Sequence, residues 1–308
     1  MRFNRLDLNL LVALDALLTE RNISRAAEKV HLSQSTMSHA LGRLREHFKD
    51  DLLVQVGRKM ELTPRAESLR DPIRDVLVQI SITVDTPVEF DPSRSDREFV
   101  LHVSDYSMEV LLPHVFALAG AQGSKATFRL LPQSGPVATR ALERGEVDVL
   151  LTPEGYCSPD HPSEALFQEE FVAVVWRESR IATVELTMDR YINAQHVVME
   201  PIGFGQQAYD GWMMQRYGIS RHVSVTTYSF SVLPHMVVGT EMIATLHTRL
   251  ARHAARALPV KILPLPLEVP PLVQAVQWHK HRSNDPALIW LRNLLKQATA
   301  RMDGETPQ

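Results

Sequence analysis

The side chains of this sequence with the clearest capacity for chemistry lie on one short segment, Ser33 to Phe48. Its apolar residues, Met37, Leu41 and Leu44 among them, recur at the spacing of one helix face, and small hydroxyl, amide and imidazole groups occupy the remaining surface. Such groups can approach phosphates or base edges without a long flexible arm. The segment therefore predicts a helix whose polar face contacts nucleic acid. A merely solvated helix face is the alternative interpretation.

The elements around this segment follow a helix-turn-helix pattern. Asp7 is placed to cap a first, leucine-rich helix, Ser24 a second short helix, and Ser33 the third. In such a pair of helices the second one lies in the major groove of duplex DNA. Two short strand-like runs follow around Gly57, and they predict a hairpin wing with basic residues at its tip.

Charge is distributed unevenly along the chain. Residues 1–60 carry ten lysines and arginines against seven aspartates and glutamates, a net charge of +3. Because the whole chain carries −3, the remainder carries −6. A basic head on an acidic body favours attraction to phosphates and argues against the solvated-face interpretation.

The stretch from Asn22 to Glu67 resembles the N-terminal domain of LysR-type transcriptional regulators. The hallmarks of that family stand here at Ala26-Ala27, Leu32–Ser38, Leu41–Arg45, Asp51–Leu53 and Thr63-Pro64. Ser35 is a departure, since the family more often has proline there. The resemblance implies that the following residues bind DNA, the last of them from the wing: Arg25, Ser33, Gln34, Ser35, Thr36, Ser38, His39, Arg43 and Arg58.

A helical segment with one apolar stripe follows Pro64. The stripe can pack against the same chain or pair with another copy. The resemblance favours pairing, because LysR-type regulators dimerise through this linker helix, and it implies a homotetramer made of two dimers. The residues expected at the dimer contact are Leu69, Ile73, Val76, Leu77 and Ile80.

Strand-like and helix-like segments alternate from about residue 95 onward, which predicts an α/β fold. "RGEVDVLLT" and "GTEMIATLHT" echo each other and suggest two similar lobes with a cleft at the carboxyl ends of their strands. The family's effector domains likewise resemble periplasmic binding proteins. The expected division is a winged helix-turn-helix domain at 1–64, a linker helix and hinge at 65–90, and an effector domain at 91–308. Within the last, lobe 1 spans about 95–164 and 271–308, and lobe 2 about 165–270.

Candidate ligand-binding residues lie just beyond the predicted strand ends. They combine aromatic walls with hydroxyl groups, which favours a flat, largely apolar ligand, although each could equally serve simple packing. The set contains no arginine or lysine, which disfavours a carboxylate, but His247 or Arg249 could reach inward. The candidates are Ser104, Asp105, Tyr106, Pro132, Thr152, Phe204, Tyr228, Ser229 and Phe230.

A closer resemblance, to the NodD-like branch of the family, extends over almost the whole chain. It rests on "RLDLNLLVALDALLTERN", "LLPQSGPVATRALERGEVDVLLTPE" and "QAVQWHKHRSNDPALIWLRNLL". That branch includes flavonoid-sensing nodulation regulators and relatives that respond to salicylate or chlorinated phenols. The resemblance implies an activator with an aromatic or phenolic inducer, bound to double-stranded promoter DNA and in contact with RNA polymerase.

Signs of enzymatic chemistry are weak. Cys157 is the single cysteine, so neither an internal disulfide nor a cysteine zinc site is expected. No G-x-S-x-G or H-E-x-x-H pattern occurs, and "HKH" at His279–His281 is typical of a solvated loop. We expect no enzyme, cofactor, metal or membrane segment, and a cytoplasmic location. The alternative is an α/β small-molecule-binding protein, or a thiol or serine hydrolase, without a DNA role.

Overall fold

The computed structural model of the chain describes residues 7–57, 59–85, 87–132, 135–201 and 209–304. The fold divides after Thr86 into two compact units. Within the described residues, no helix combines the length and the hydropathy needed to cross a bilayer.

The N-terminal unit consists of helices and one hairpin. Asp7 caps the first helix by accepting a 3.0 Å hydrogen bond from the amide of Asn9, and Ser33 caps the third by accepting from the amide of Thr36 at 3.1 Å. The elements are α1 (Leu8–Glu20), α2 (Ile23–Lys29), α3 (Gln34–Phe48), β1 (Leu53–Val56), β2 (Lys59–Leu62) and α4 (Pro64–Asp85).

The expectation that Ser24 caps α2 was wrong. The Asn22 side chain accepts the amide of Arg25 at 3.0 Å, and Ser24 lies inside the helix. Asn22 has the extended backbone that a capping residue needs, and an asparagine is as good a cap as a serine. One residue thus follows the end of α1 and caps α2.

The core of this unit is the packed apolar surface of its helices. Met37 and Leu44 of α3 are fully buried against leucines of α1, so the apolar stripe of α3 faces inward as predicted. Helix α4 packs on α1, where Arg74 donates to the hydroxyl of Thr19 at 3.1 Å and lies 3.3 Å from the Asp15 carboxylate. The beginning of the linker helix is therefore part of the N-terminal core.

The C-terminal unit alternates strands and helices. Its strands are β3 (Glu98–Val103), β4 (Thr127–Pro132), β5 (Val149–Pro153), β6 (Ser163–Glu169), β7 (Phe171–Trp176), β8 (Gln195–Met199), β9 (His222–Thr227), β10 (Ile243–His247), β11 (Val260–Leu263) and β12 (Leu272–Gln277). Its α-helices are α5 (Asp105–Val110), α6 (Leu112–Ala121), α7 (Gly135–Glu143), α8 (Met188–Asn193), α9 (Tyr209–Arg216), α10 (Leu233–Val237), α11 (Thr248–Ala255) and α12 (Pro286–Gly304).

These strands form two five-stranded sheets of matching topology. The orders are β4-β3-β5-β12-β6 and β9-β8-β10-β7-β11. In each sheet the first three strands pair in parallel and the last two pairings are antiparallel, so only the fourth strand, β12 or β7, runs against the others. β5 and β10, which carry the echoed sequences, occupy the same central position in the two sheets. The sequence echo therefore marks a structural repeat.

The chain passes between the two lobes at Glu170. β6 pairs with β12 in the first sheet up to Glu169, and β7 begins the second sheet at Phe171. The crossing lies slightly later than the sequence placed it. The return comes between β11 and β12, so two connecting segments join the lobes.

Candidate nucleic-acid interface and interlobe site

The polar face of α3 is open to solvent. Its apolar stripe is buried, whereas every residue that the sequence assigned to DNA on this helix is exposed. The exposed set is Gln34, Ser35, Thr36, Ser38, His39 and Arg43, with Ser33 as the capping residue before it.

Hydroxyl groups at the start of α3 are linked to one another. The Ser33 hydroxyl lies 2.9 Å from that of Ser35 and 2.7 Å from that of Thr36. A hydroxyl both donates and accepts, so this group can rotate its protons to suit a phosphate or a base edge. The helix start also favours negative charge, since its free amides and dipole are positive.

Two arginines on α3 have different environments. Arg43 is exposed, whereas Arg45 donates to the carbonyls of Asp51 and Leu53 at 2.8 Å each and so ties α3 to the first strand of the wing. The sequence could not assign this role to Arg45. The two arginines have the same chemistry and lie only two positions apart on α3. α3 and the wing are thus held together as one surface.

A second contact fixes the far end of the wing. Asp50 accepts hydrogen bonds from the Thr63 hydroxyl at 2.6 Å and from the amide of Leu52 at 2.7 Å. These two bonds lower the pKa of the Asp50 carboxyl, the Thr63 bond being the larger cause. Both ends of the hairpin are therefore anchored next to α3.

Two further residues, Arg25 and Arg58, were predicted to contact DNA. Arg25 lies on α2, where its guanidinium donates to the carbonyl of Glu20 at 2.8 Å and lies 3.8 Å from that residue's carboxylate. Arg58, predicted at the tip of the wing, lies outside the described residues.

The apolar stripe of α4 is divided between two environments. Leu69 and Ile73 pack against the core of the N-terminal unit. Further along, Val76 is 43% exposed and Val84 is 76% exposed. The structure therefore assigns the beginning of the predicted dimer surface to the chain's own core and leaves its later part accessible.

In the C-terminal unit, Ser104, Pro132 and Thr152 lie at the carboxyl ends of three neighbouring parallel strands, as the sequence predicted. Ser104 caps α5 by accepting the amide of Ser107 at 3.2 Å. The carbonyl of Pro132 bonds the His102 ring at 2.8 Å, and Thr152 is buried.

Asp105 and Ser229 connect the two lobes. The Ser229 hydroxyl donates to the Asp105 carboxylate at 2.6 Å, and the amide of Ser231 donates to the same oxygen at 2.9 Å. Asp105 belongs to the first lobe, whereas both donors follow β9 of the second. Two residues that the sequence placed near a ligand therefore also hold the lobes together.

Tyr106 is the centre of a second connection. Its hydroxyl donates to Glu169, which also accepts a 2.9 Å bond from Arg249, and Arg249 lies 2.6 Å from Asp303 of α12. Burial, followed by the neighbouring carboxylate, raises the pKa of Tyr106 well above its ordinary value. Burial acts to lower the pKa of Arg249, but its carboxylate partners outweigh burial and raise it.

The Tyr106 ring also stacks on His247, with ring centroids 4.0 Å apart. Phe230 contacts the same imidazole edge-on at 4.7 Å. Asp105, Tyr106, Ser229 and Phe230 thus meet at one lobe interface, with His247 among them. His247 lies at the end of β10, and its strand-end position, the rule behind the other candidates, was the signal that could have placed it in the main set.

Tyr228 and Phe204 are the two remaining candidates. The Tyr228 side chain is 69% exposed, and Phe204 lies outside the described residues.

Cys157 is the residue considered for thiol chemistry, and it is a free, partly buried cysteine. Burial raises the pKa of the Cys157 thiol, so the thiolate that a nucleophile requires is disfavoured. Among the described residues, no group of three or more His, Cys, Asp or Glu side chains could hold a metal ion.

A winged helix-turn-helix followed by a two-lobed α/β unit defines a class, the ligand-responsive DNA-binding proteins. Two family models match the chain: the bacterial regulatory helix-turn-helix protein, lysR family, over residues 8–67, and the LysR substrate binding domain over residues 93–300. The chain is 41% identical to Nodulation protein D 2 of Rhizobium tropici over 302 residues, which cover 98% of this chain and 96% of that protein. The chain belongs to the LysR family of transcriptional regulators, and its fold and relatives make it a DNA-binding regulator of that type.

Solved structures of regulators share the fold. A probable transcriptional regulator from Pseudomonas aeruginosa matches with a TM-score of 0.65 and 28% identity, over 95% of this chain and 97% of the other. Full-length CbnR in complex with its target DNA matches with a TM-score of 0.52 and 15% identity, over 96% of this chain and 100% of the other.

Proposed function

We propose that the exposed polar face of α3 binds promoter DNA directly, with support from the wing. The observation that carries this proposal is the division of α3 into a buried apolar stripe and an open face of hydroxyl, amide, imidazole and guanidinium groups. Arg43 is the base- or phosphate-contacting arginine, whereas Arg45 positions the wing. The DNA-binding set is the one predicted from the sequence, Arg25 and the wing residue Arg58 included, and CbnR, which has this fold, was solved with its target DNA.

The C-terminal unit binds a small aromatic or phenolic inducer at the interface between the lobes. Support comes from the aromatic rings and hydroxyl groups that meet there and from the similarity to nodulation proteins. The proposed domain division is 1–64, 65–90 and 91–308. An inducer that binds one arrangement of the lobes more tightly than the other shifts the equilibrium between them, and that shift is the signal.

The molecule acts as a homo-oligomer, a tetramer of two dimers. The exposed later part of the α4 stripe supports pairing between copies, and the two-fold symmetry of a dimer matches a palindromic operator. It functions in the cytoplasm as an activator that contacts RNA polymerase, without enzymatic activity. The raised pKa of the Cys157 thiol argues against the thiol hydrolase alternative.

Selection of bound duplexes from a random DNA library tests the DNA-binding part. We expect enrichment of an interrupted palindrome whose half-sites are spaced by whole helical turns, about 10 base pairs or a multiple. A library that stays unenriched with folded protein contradicts the proposal. The matched control is the Arg43→Ala protein, which is expected to enrich the motif weakly or not at all.

A further inference from the structure

His247 lies in an aromatic cluster drawn from both lobes. Beside Tyr106 and Phe230, Phe171 contacts the imidazole at a centroid distance of 5.0 Å, and His247 is only 4% exposed. Buried polar groups normally have hydrogen-bond partners, because an unpaired one loses its hydration without compensation. The Nδ1 atom of His247 has none among the residues that the structure describes.

The next residue has the same property. The Thr248 hydroxyl is a buried atom without a hydrogen-bond partner in the described part of the chain. Both residues lie where β10 ends and α11 begins, at the carboxyl edge of the second sheet. Small ligands of open α/β sheets settle at this edge. Two adjacent, unsatisfied polar atoms at this edge are consistent with a binding position that a ligand completes.

The positive charge next to this position is already paired. Burial lowers the pKa of His247 to about 3, so the imidazole is neutral at pH 7. The Arg249 guanidinium is bonded to Glu169 and Asp303, and the carboxylate of Glu169 also accepts the amide of Arg249 at 3.3 Å near the start of α11. The sequence left open whether His247 or Arg249 could bind a carboxylate. Neither residue is suited to it, because neither offers an uncompensated positive charge.

We propose, building on the inducer site proposed above, that His247 and Thr248 bind an uncharged hydroxyl group of the inducer and discriminate against a carboxylate in its place. A hydroxyl can donate to an unprotonated imidazole nitrogen or accept from a protonated one, so it suits either tautomer of the ring. A carboxylate at the same position gives up its hydration beside a neutral imidazole and close to the Glu169 carboxylate.

Access to His247 also links binding to the arrangement of the lobes. Its Nδ1 is sealed in this structure, and the stacked ring of Tyr106 covers one face of the imidazole. Tyr106 is held by Glu169, and the preceding residue, Asp105, is held by Ser229. A ligand hydroxyl therefore gains its bond to Nδ1 only after the packing around His247, of which the Tyr106 ring is part, shifts, so it binds the shifted arrangement preferentially.

Calorimetric titration of the full-length protein tests the inference with matched probes: 7-hydroxyflavone, 7-methoxyflavone, 2-naphthol and 2-naphthoate. For the wild type we expect each hydroxyl compound to bind more tightly than the methyl ether or the carboxylate. His247→Phe keeps a ring of similar size and removes the nitrogen, so it should weaken binding of the hydroxyl probes by about five- to tenfold, the worth of one hydrogen bond. It should leave 7-methoxyflavone unchanged, and His247→Gln should restore part of the loss.

His196→Phe is the matched control. His196 is a fully buried histidine of the same lobe, burial lowers its pKa to about 4, and its Nδ1 is also unpartnered among the described residues, but it lies beside Ile243 at the opposite edge of the sheet. This variant should bind every probe as the wild type does. Equal affinities of wild type and His247→Phe for the hydroxyl probes, or tightest binding of 2-naphthoate, overturn the inference and leave the inducer proposal standing. Probes that bind no variant, while promoter binding persists, overturn the aromatic inducer itself.

Discussion

At the scale of single residues, one buried carboxylate holds together the start of the first sheet. Asp148 accepts hydrogen bonds from Arg97 at 2.9 Å, from Arg282 at 2.5 Å and from the amide of Val100 at 2.8 Å, and it is 5% exposed. Arg97 also pairs with Asp285, the residue before α12. These contacts join β3, β5 and the start of the last helix.

Removal of that carboxylate should strongly destabilise the C-terminal unit. Asp148→Ala leaves two arginines without this partner in a largely buried setting, which costs about 3–5 kcal/mol of unfolding free energy. Urea unfolding measures the loss. Glu98→Ala, which breaks an exposed pair with Arg129, is the control and should cost under about 1 kcal/mol. Equal losses from the two variants contradict a structural role for the Asp148 cluster.

The two buried histidines predict a pH dependence of stability. Burial lowers the pKa of His247 to about 3 and that of His196 to about 4, so the folded chain binds fewer protons than the unfolded chain between those values and about 6.5. Their stabilising contribution is complete above pH 6.5 and is lost as the pH falls below it.

Unfolding free energies measured at pH 7.5 and pH 4.5 test this expectation. Between pH 7.5 and pH 4.5, the unfolding free energy of the His247→Phe protein should fall by about 2–3 kcal/mol less than that of the wild type, because one titrating group has been removed. If the two proteins lose the same amount, His247 is not a buried neutral imidazole.

At the scale of elements, local patterns predicted α3 well and long-range contacts poorly. The apolar stripe on α3 and the Ser33 cap are set by residues a few positions apart, so periodicity and capping rules predicted both. The bond between Tyr106 and Glu169 joins residues far apart in sequence, and no local rule could place it. Even a local feature could be misassigned. Both Asn22 and Ser24 are suitable residue types to cap α2, and only the backbone conformation shows that Asn22 is the cap.

The linker helix gives a prediction at the same scale. Val76 lies on the later, accessible part of the α4 stripe, so Val76→Glu should disrupt the contact between copies with little effect on the fold of one chain. Sedimentation velocity should show a shift toward smaller species. Gln79→Glu adds the same charge to an exposed position off the stripe and should leave the assembly unchanged. An unchanged assembly in both variants removes α4 from the dimer contact.

At the scale of the whole molecule, two features are visible in the sequence. The charge asymmetry places +3 on residues 1–60 and −6 on the rest, so attraction to DNA is concentrated where α3 lies. The echoed strands β5 and β10 occupy equivalent positions in two sheets of the same order. The repeat could be predicted from the sequence because the two strands share a buried central position. The bonds that hold the lobes together could not be predicted, since they come from residues that differ between the repeats.

The most direct test of the account is the affinity for the selected operator, measured by fluorescence anisotropy for three arginine variants. We expect Arg43→Ala to weaken binding about tenfold or more at an unchanged unfolding midpoint, because its side chain is exposed on α3. Arg45→Ala should lower the stability of the N-terminal unit as well as the affinity, because it loses the two bonds to the wing. Arg129→Ala, an exposed arginine of the C-terminal unit, should bind as the wild type does. An Arg43→Ala protein that binds the operator with wild-type affinity contradicts the central claim that the polar face of α3 reads DNA.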